Sequence, residues 1–247
     1  MVTNLQYFFE TAKKLRGGRW VWVKDSNGEN RNNILLGGTI ANPNKGFGHL
    51  WAAQLMQHTP GQPMLIFRSF KLKADAAANA TTIYIDGDGY SDAPEVGQYL
   101  MVAPDATEVV SMEADTETGA VTVTKTTYTG TYAKVTGVTY DETNQKFEVA
   151  LENKLSTAKI DAGTILVEAD KAKDTESTGS APVLCPKPNV FNEADRDMLP
   201  TEGYGFQNAN YSVSGVYNKQ AWIAKMQPLP KYVLALNKSL IDGIFWI

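Results

Sequence analysis

Two histidines and a single cysteine are the residues of this sequence best suited to nucleophilic or metal chemistry. His49 and His58 lie nine positions apart, and Cys185 is distant from both. Zinc sites need closely spaced Cys and His ligands, whereas a Cys/His catalytic pair needs an orienting third group and an oxyanion hole. The spacing indicates neither. We interpret these residues as ordinary polar or buried side chains, and we expect no catalytic residues and no cofactor.

An acidic, glycine-punctuated segment follows a short alternating run in the middle of the chain. Asp86, Asp88 and Asp92 alternate with glycines and other small or polar residues, a pattern whose oxygen atoms can wrap around Ca²⁺. The full EF-hand pattern fails because the position of its bidentate glutamate falls on Gly97. A plain acidic turn is the favoured interpretation, and Ca²⁺ binding is the alternative.

Other acidic and aromatic residues of the middle stretch suggest two further kinds of site. Four carboxylates are candidates for the acid and base of a glycosidase: Glu95, Glu108, Glu113 and Asp115. Three tyrosines are candidates for a sugar-stacking surface: Tyr90, Tyr128 and Tyr132. Acidic residues on the loops of a threonine-rich β segment are usually only solvated. We therefore expect a protein that is not an enzyme, with a β-sandwich hydrolase as an alternative.

The elements that would position these residues are short strands. In Thr81–Ile85, Ile83 and Ile85 point to one side and the residues between them to the other, the period of a half-buried strand. Further strand candidates span residues 96–102, 120–125, 132–140, 146–152 and 163–168. Short strands separated by turn signals predict a small antiparallel β-barrel or sandwich over residues 71–169.

The segments on either side of this stretch are predicted to form a second domain. Residues 1–70 and 182–247 are expected to combine into one base domain, into which 71–169 is inserted with its two ends close in space. Residues 170–181 are charged and rich in Ser and Thr, which is typical of a linker. Spacing of apolar residues predicts helices near the N-terminus and from Val233 onward, and 189–200 is predicted to form a short helix. The expected fold class is therefore mainly β with few short helices.

Aromatic residues near the two ends of the chain are candidate anchors for a partner protein. They are Phe8, Phe9, Trp20, Trp22, Trp51, Phe245 and Trp246. An aromatic ring left fully in water costs about 1.5–3 kcal/mol relative to burial, and aromatic residues dominate interface hot spots. Burial in the protein's own core is the alternative interpretation for these residues.

Composition excludes several other classes of protein. A net charge of −4 provides no general attraction to nucleic acid, and no dense Lys/Arg stripe provides a local one. No apolar run reaches the ~20 residues needed to span a bilayer, and no signal-peptide pattern is present. A single cysteine excludes an intrachain disulfide. We expect a soluble protein made in the cytoplasm that binds neither nucleic acid nor membrane.

Three segments resemble one group of viral proteins. They read "FKLKADAAANATTIYI" from Phe70, "VGQYLMV" from Val96 and "AKIDAGTILVEA" from Ala158. These segments resemble head-associated structural proteins of tailed bacteriophages, notably the head fibre and auxiliary capsid proteins of phages infecting gut Bacteroidales, including crAss-like phages. The flanking "PGQPMLIFRSFKL" and the apolar C-terminal end are similar to the same group. The resemblance covers about residues 60–170.

This resemblance implies a non-enzymatic component of the virion on the head surface, made in the host cytoplasm. It implies a capsid-binding base and a small outward-facing β domain, and it brings no catalytic residues. The expected partners are the major capsid protein, other virion proteins and further copies of the same chain. The alternative within viruses is a tail or receptor-contact protein whose β domain binds a host glycan.

Overall fold

The computed structural model describes residues 33–34, 38–40, 49–58, 61–62, 64–104, 111–114, 121–124, 131–169, 188, 190–192, 196–197, 211–213, 215–217 and 226–236. The strands in chain order are β1 (Asn33–Ile34), β2 (Gly38–Ile40), β3 (His49–Leu50), β4 (Leu55–Gln57), β5 (Leu65–Ile66), β6 (Ser69–Lys71), β7 (Thr82–Asp86), β8 (Tyr99–Val102), β9 (Ser111–Ala114), β10 (Val121–Thr124), β11 (Tyr132–Asp141), β12 (Lys146–Leu151), β13 (Ile165–Glu168), β14 (Val190–Asn192), β15 (Arg196–Asp197), β16 (Tyr211–Val213) and β17 (Gly215–Tyr217). One short helix, α1 (Lys231–Leu236), completes the described elements.

Among the described strands, the larger of the two main antiparallel sheets has six strands in the order β6-β13-β8-β11-β12-β7. These six strands are called here the central β unit. Its two outermost strands also touch, because Leu72 and Ile85 form an antiparallel bridge just beyond β6. The Lys73 N–H donates to the carbonyl of Tyr84 at 2.8 Å. The first and last strands of the sheet are therefore joined by hydrogen bonds.

Alternating apolar residues of these strands build a first hydrophobic core. In β12, Phe147, Val149 and Leu151 are buried, whereas Glu148 between them is exposed. The rings of Tyr140 and Phe147 pack with their centroids 4.8 Å apart. The core also includes Trp51, which lies outside the six strands and is only 5% exposed. Burial of one face of each strand explains why the period-two pattern folds as a sheet.

The second sheet has five strands in the order β1-β17-β14-β4-β5, and three two-stranded ribbons accompany the two sheets. Each of the four described strands that precede residue 58 pairs with a strand that follows residue 189. The pairs are β1 with β17, β2 with β16, β3 with β15 and β4 with β14. These eight strands are called here the paired flanks. The pairing is antiparallel along the chain: Ile34 pairs with Val216, and the later Met56 pairs with the earlier Val190.

A second hydrophobic core joins the paired flanks to the central β unit. Met101 of β8 and Val167 of β13 share it with Leu55 of β4 and Phe191 of β14. Tyr232 of α1 is fully buried in the same core and packs edge-on against Phe67, with ring centroids 6.5 Å apart. Buried apolar surface from both parts therefore holds them together.

The mainly β fold class with few helices is confirmed in its general form. Strands occupy all five further candidate segments of the middle stretch, and α1 falls where helical spacing predicted a helix. The short helix predicted for 189–200 is wrong, because Val190 and Phe191 are buried in β14 between two neighbouring strands. Other predictions lie outside the described residues. They are the N-terminal helix, the linker 170–181, and the candidate anchors Phe8, Phe9, Trp20, Trp22, Phe245 and Trp246.

Candidate functional site

The first of the three acidic residues considered for Ca²⁺, Asp86, is held by two lysines. It ends β7, and its side chain is 9% exposed. Lys73 Nζ donates to Asp86 Oδ1 at 3.0 Å, and Lys71 Nζ lies 3.7 Å from Oδ2. The carboxylate is thus balanced by ammonium groups from the strand that meets β7.

The other two acidic residues face different surroundings. Asp88 Oδ1 accepts hydrogen bonds from the backbone N–H groups of Tyr90 and Ser91, at 2.8 and 3.1 Å, which stabilises a local turn. Asp92 is buried, and its Oδ2 accepts from Ser69 N at 3.1 Å. Across the described part of the chain, no group of three or more His, Cys, Asp or Glu is arranged to hold a metal ion.

Asp92 belongs to a set of buried and half-buried polar residues at the junction of the two sheets, called here the polar seam. The set comprises Gln54, Arg68, Ser69, Asp92, Glu95, Glu168 and Gln227. The chain passes from β5 to β6 at this junction, so the backbone leaves one sheet before it joins the other. Buried backbone groups in such a crossing need hydrogen bonds from side chains.

Two glutamines provide those hydrogen bonds. Gln54 Nε2 donates to the carbonyl of Phe67 at 2.9 Å and to Asp92 Oδ2 at 3.3 Å. Gln227 Oε1 accepts from Leu55 N at 3.1 Å. Its Nε2 donates to the same Phe67 carbonyl at 3.2 Å and to Ser69 Oγ at 2.9 Å. An amide side chain suits this position because it donates and accepts at once.

The charged part of the seam is centred on Arg68, whose side chain is 1% exposed. Its Nη1 lies 3.5 Å from Glu95 Oε1, and its Nε lies 3.9 Å from Glu168 Oε2. Burial raises the pKa of the Glu95 carboxyl above its ordinary value. The Arg68 charge opposes this rise, whereas the Glu168 and Asp92 carboxylates add to it. Glu95 is therefore an acidic group of the seam whose proton affinity departs from normal.

A cleft of about 500 Å³ lies elsewhere, between the end of β8, the turn before β13 and the start of α1. Its lining is Val102, Ala103, Pro104, Ala162, Gly163, Thr164, Ile165, Pro230 and Lys231. None of the candidate residues that the structure describes lines this cleft. The described lining has one charged side chain, Lys231, so it does not form an acid/base pair.

The remaining candidates are dispersed. Trp51 is buried in the first core. Tyr132 packs edge-on against Tyr99 with centroids 5.7 Å apart, and Tyr90 is half-buried. Glu113 lies on β9, His49 on β3, and His58 is half-buried. Tyr128, Glu108, Asp115 and Cys185 lie outside the described residues.

The sequence interpretation did not identify Arg68, Gln54 or Gln227 as important. The sequence does hold a signal for Arg68, because it is a charged residue within the run 64–70, whose other residues are apolar except Ser69. An ionised side chain in an apolar strand segment indicates a buried, paired charge.

Comparison with protein-family models, curated proteins and solved structures gave no significant match. Among the described residues, no helix has the length and apolar character needed to cross a membrane.

Proposed function

We propose that this chain is a non-enzymatic structural protein of a bacteriophage head, either an auxiliary capsid protein or a head fibre protein. The paired flanks are the base that contacts the major capsid protein and other virion proteins, and the central β unit faces outward. The proposal rests on the resemblance of residues 60–170 to that group and on one structural observation, the pairing of the two flanking segments.

That pairing supports a base assembled from both sides of an inserted unit. Four strands before residue 58 find their partners after residue 189, although more than a hundred residues separate them. The chain enters the central β unit at β6 and leaves it at β13, and these two strands are neighbours with Ser69 opposite Val167. Neighbouring ends are what an inserted domain requires.

The central β unit fits a small closed barrel. Contact between its outer strands at Leu72 and Ile85 removes the two exposed edges that an open sheet would present. Its interior is filled by side chains such as Phe70, Phe147 and Leu166. A barrel packed in this way acts as a rigid projecting module, as a decoration protein needs, and not as a container for a substrate.

The connection between the paired flanks and the central β unit is also suited to a virion component. The second core and the polar seam connect them through apolar contacts and through buried hydrogen bonds from Gln54 and Gln227. We place contact with the capsid and with other copies of the chain on the terminal aromatics: Phe8, Phe9, Trp20, Trp22, Phe245 and Trp246. Repeated copies on a shell would add avidity to each contact.

The proposal is tested on purified particles of the phage that encodes the chain. Immunogold labelling and cryo-electron microscopy are expected to place it on the head, with the central β unit pointing away from the shell. Its absence from particles would overturn the proposal. Density on the tail, together with selective binding of the full chain to a glycan array, would support the receptor-contact alternative instead.

A further inference from the structure

One half-buried carboxyl group of the polar seam faces an unbalanced set of charges. Glu95 lies on the loop between β7 and β8, and its side chain is 16% exposed. The groups that face it are Arg68 from the β5–β6 crossing, Glu168 from the end of β13 and Asp92 from its own loop. Two other carboxyl groups and one guanidinium therefore act on the Glu95 carboxyl, and an arginine keeps its charge at every relevant pH.

Glu95 is also poorly solvated by the protein. In the described part of the chain no donor forms a hydrogen bond with its buried Oε1, although Arg68 Nη1 lies 3.5 Å away. The neighbouring Gln98 accepts from the Glu95 backbone N–H at 3.2 Å through Oε1. Its own Nε2 is buried and has no acceptor among the residues that the structure describes. An ionised carboxylate in such a place loses hydration that the protein does not fully replace.

The charge on Glu95 acts on the crossing from β5 to β6, which connects the central β unit to the paired flanks. Glu168 N donates to the carbonyl of Arg68 at 3.4 Å, and Asp92 holds the backbone N–H of the next residue, Ser69. Asp92 also accepts from Gln54, which precedes β4. Repulsion of an ionised Glu95 by Asp92 and Glu168 would therefore act on the segment that links the central β unit to the paired flanks.

We propose that Glu95 is a proton-operated switch of the polar seam: its protonation tightens the junction between the central β unit and the paired flanks, and its ionisation loosens that junction. Burial is the main cause of the raised pKa of Glu95, and the direction of this shift determines how stability depends on pH. A carboxyl group with a raised pKa in the folded state stabilises the fold fully below the ordinary value of 4.5. That stabilisation is lost as the pH rises through the raised pKa.

Thermal unfolding of the full chain at pH 5 and pH 7.5 tests the switch with Glu95→Gln, which imitates the protonated form. The wild type is expected to melt at a higher temperature at pH 5 than at pH 7.5. At pH 7.5 the variant is expected to melt about 2–4 °C above the wild type, a shift that corresponds to about 1 kcal/mol in a chain of this size. The difference between the two pH values should shrink in the variant.

Glu152→Gln is the matched control, because Glu152 is exposed and follows β12; it should keep the pH dependence of the wild type. A Glu95→Gln variant that melts below the wild type at both pH values, or that keeps the full pH dependence, would overturn the proposal.

A second measurement needs no variant. Carboxyl NMR of the wild type is expected to show Glu95 titrating above the ordinary glutamate value of 4.5. Amide exchange of residues 64–72, corrected for its intrinsic pH dependence, should be slower at pH 5 than at pH 7.5. Titration at or below 4.5, or exchange protection that does not change, would contradict a switch at this position.

Discussion

The backbone N–H of Leu55 donates to Gln227 Oε1 at 3.1 Å, across 172 positions of sequence. The same side chain donates to the carbonyl of Phe67 and to the hydroxyl of Ser69. One glutamine thus satisfies groups on β4, on the chain just after β5 and on β6. Its hydrogen bonds bring together a segment from before the central β unit, the crossing into that unit and a segment from far beyond it.

Replacing this glutamine should weaken the whole fold. We expect Gln227→Ala to lower the free energy of unfolding by about 2–4 kcal/mol, because a buried donor and buried acceptors lose their partner. Denaturant unfolding measures the change. Gln62→Ala, at an exposed glutamine, is the control and should change stability by less than about 0.5 kcal/mol. A loss below about 1 kcal/mol at Gln227 would mean that water replaces its contacts.

Closure of the central β unit is tested at Lys73, whose N–H donates to the Tyr84 carbonyl at 2.8 Å. Lys73→Pro removes that donor and should lower the free energy of unfolding by about 2–3 kcal/mol. Lys73→Ala keeps the N–H and removes only an exposed lysine from Asp86, which keeps Lys71 beside it, so it should cost less than about 1 kcal/mol. Equal effects of the two variants in denaturant unfolding would show that the closing hydrogen bond contributes little.

Close packing beside the hairpin of β11 and β12 requires a residue without a side chain at position 87, which is Gly87. A methyl group there would lie 2.7 Å from Tyr140 Cε2 and 2.9 Å from the backbone carbon of Gln145. Gly87→Ala is therefore expected to destabilise the protein by about 1–3 kcal/mol. Gly137→Ala is the matched control, because its added methyl would meet only the Ala150 side chain at an ordinary 3.5 Å. If thermal unfolding separates the two variants by less than a degree, the close approach at Gly87 is not rigid.

Acid stability depends in part on a surface ion cluster around Lys159. Its Nζ lies 2.7 Å from Asp75 Oδ2 and 2.9 Å from Asp161 Oδ1. The hydrogen bond from Lys159 is the main reason that the pKa of Asp75 lies below its ordinary value of 3.8. This stabilisation is present above pH 3.8 and is lost as the pH falls through the lowered pKa.

Lys159→Ala should move the pKa of Asp75 back toward 3.8, as followed by NMR titration. Lys154→Ala, at another exposed lysine nearby in sequence, should leave that pKa unchanged. An Asp75 pKa that is insensitive to Lys159 would assign the lowering to the backbone hydrogen bond from Ala162 N instead.

The proposed role as a head protein makes a prediction for the C-terminal end. Removal of Phe245–Ile247 should abolish incorporation into particles, because apolar anchors carry most of the binding energy at an interface. Gel analysis of purified particles measures incorporation, and circular dichroism of the purified variant checks that it still folds. Normal incorporation of the shortened chain would place the capsid contact elsewhere.

The local alternation of apolar and polar residues was sufficient to predict the strands of the central β unit. Alternation of Ile83 and Ile85 with polar neighbours marks β7, and the same alternation marks Phe147 and Val149 in β12. Each signal lies within a few residues of sequence and reflects burial of one sheet face. The predicted helix at 189–200 failed for the same physical reason, because burial of Val190 and Phe191 between strands outweighs local helical preference.

Long-range partners could not be predicted from the sequence. Asp86, Asp88 and Asp92 form one motif in sequence, yet Asp86 faces lysines, Asp88 caps a turn and Asp92 turns inward to Ser69. The inward position depends on Gln54 and on the crossing between the two sheets, which only the assembled fold provides. Likewise, no residue near Glu95 in the sequence indicates that Arg68 and Glu168 lie beside it.

Adjacency of β6 and β13 has an evolutionary consequence. With Ser69 opposite Val167, the points of departure and return are separated by one strand spacing, about 4.8 Å. A different folded unit whose own termini lie side by side would fit the same two attachment points without changes in the paired flanks. Lineages that carry this scaffold therefore have a simple genetic route to exchange the segment between β6 and β13 while they retain the rest.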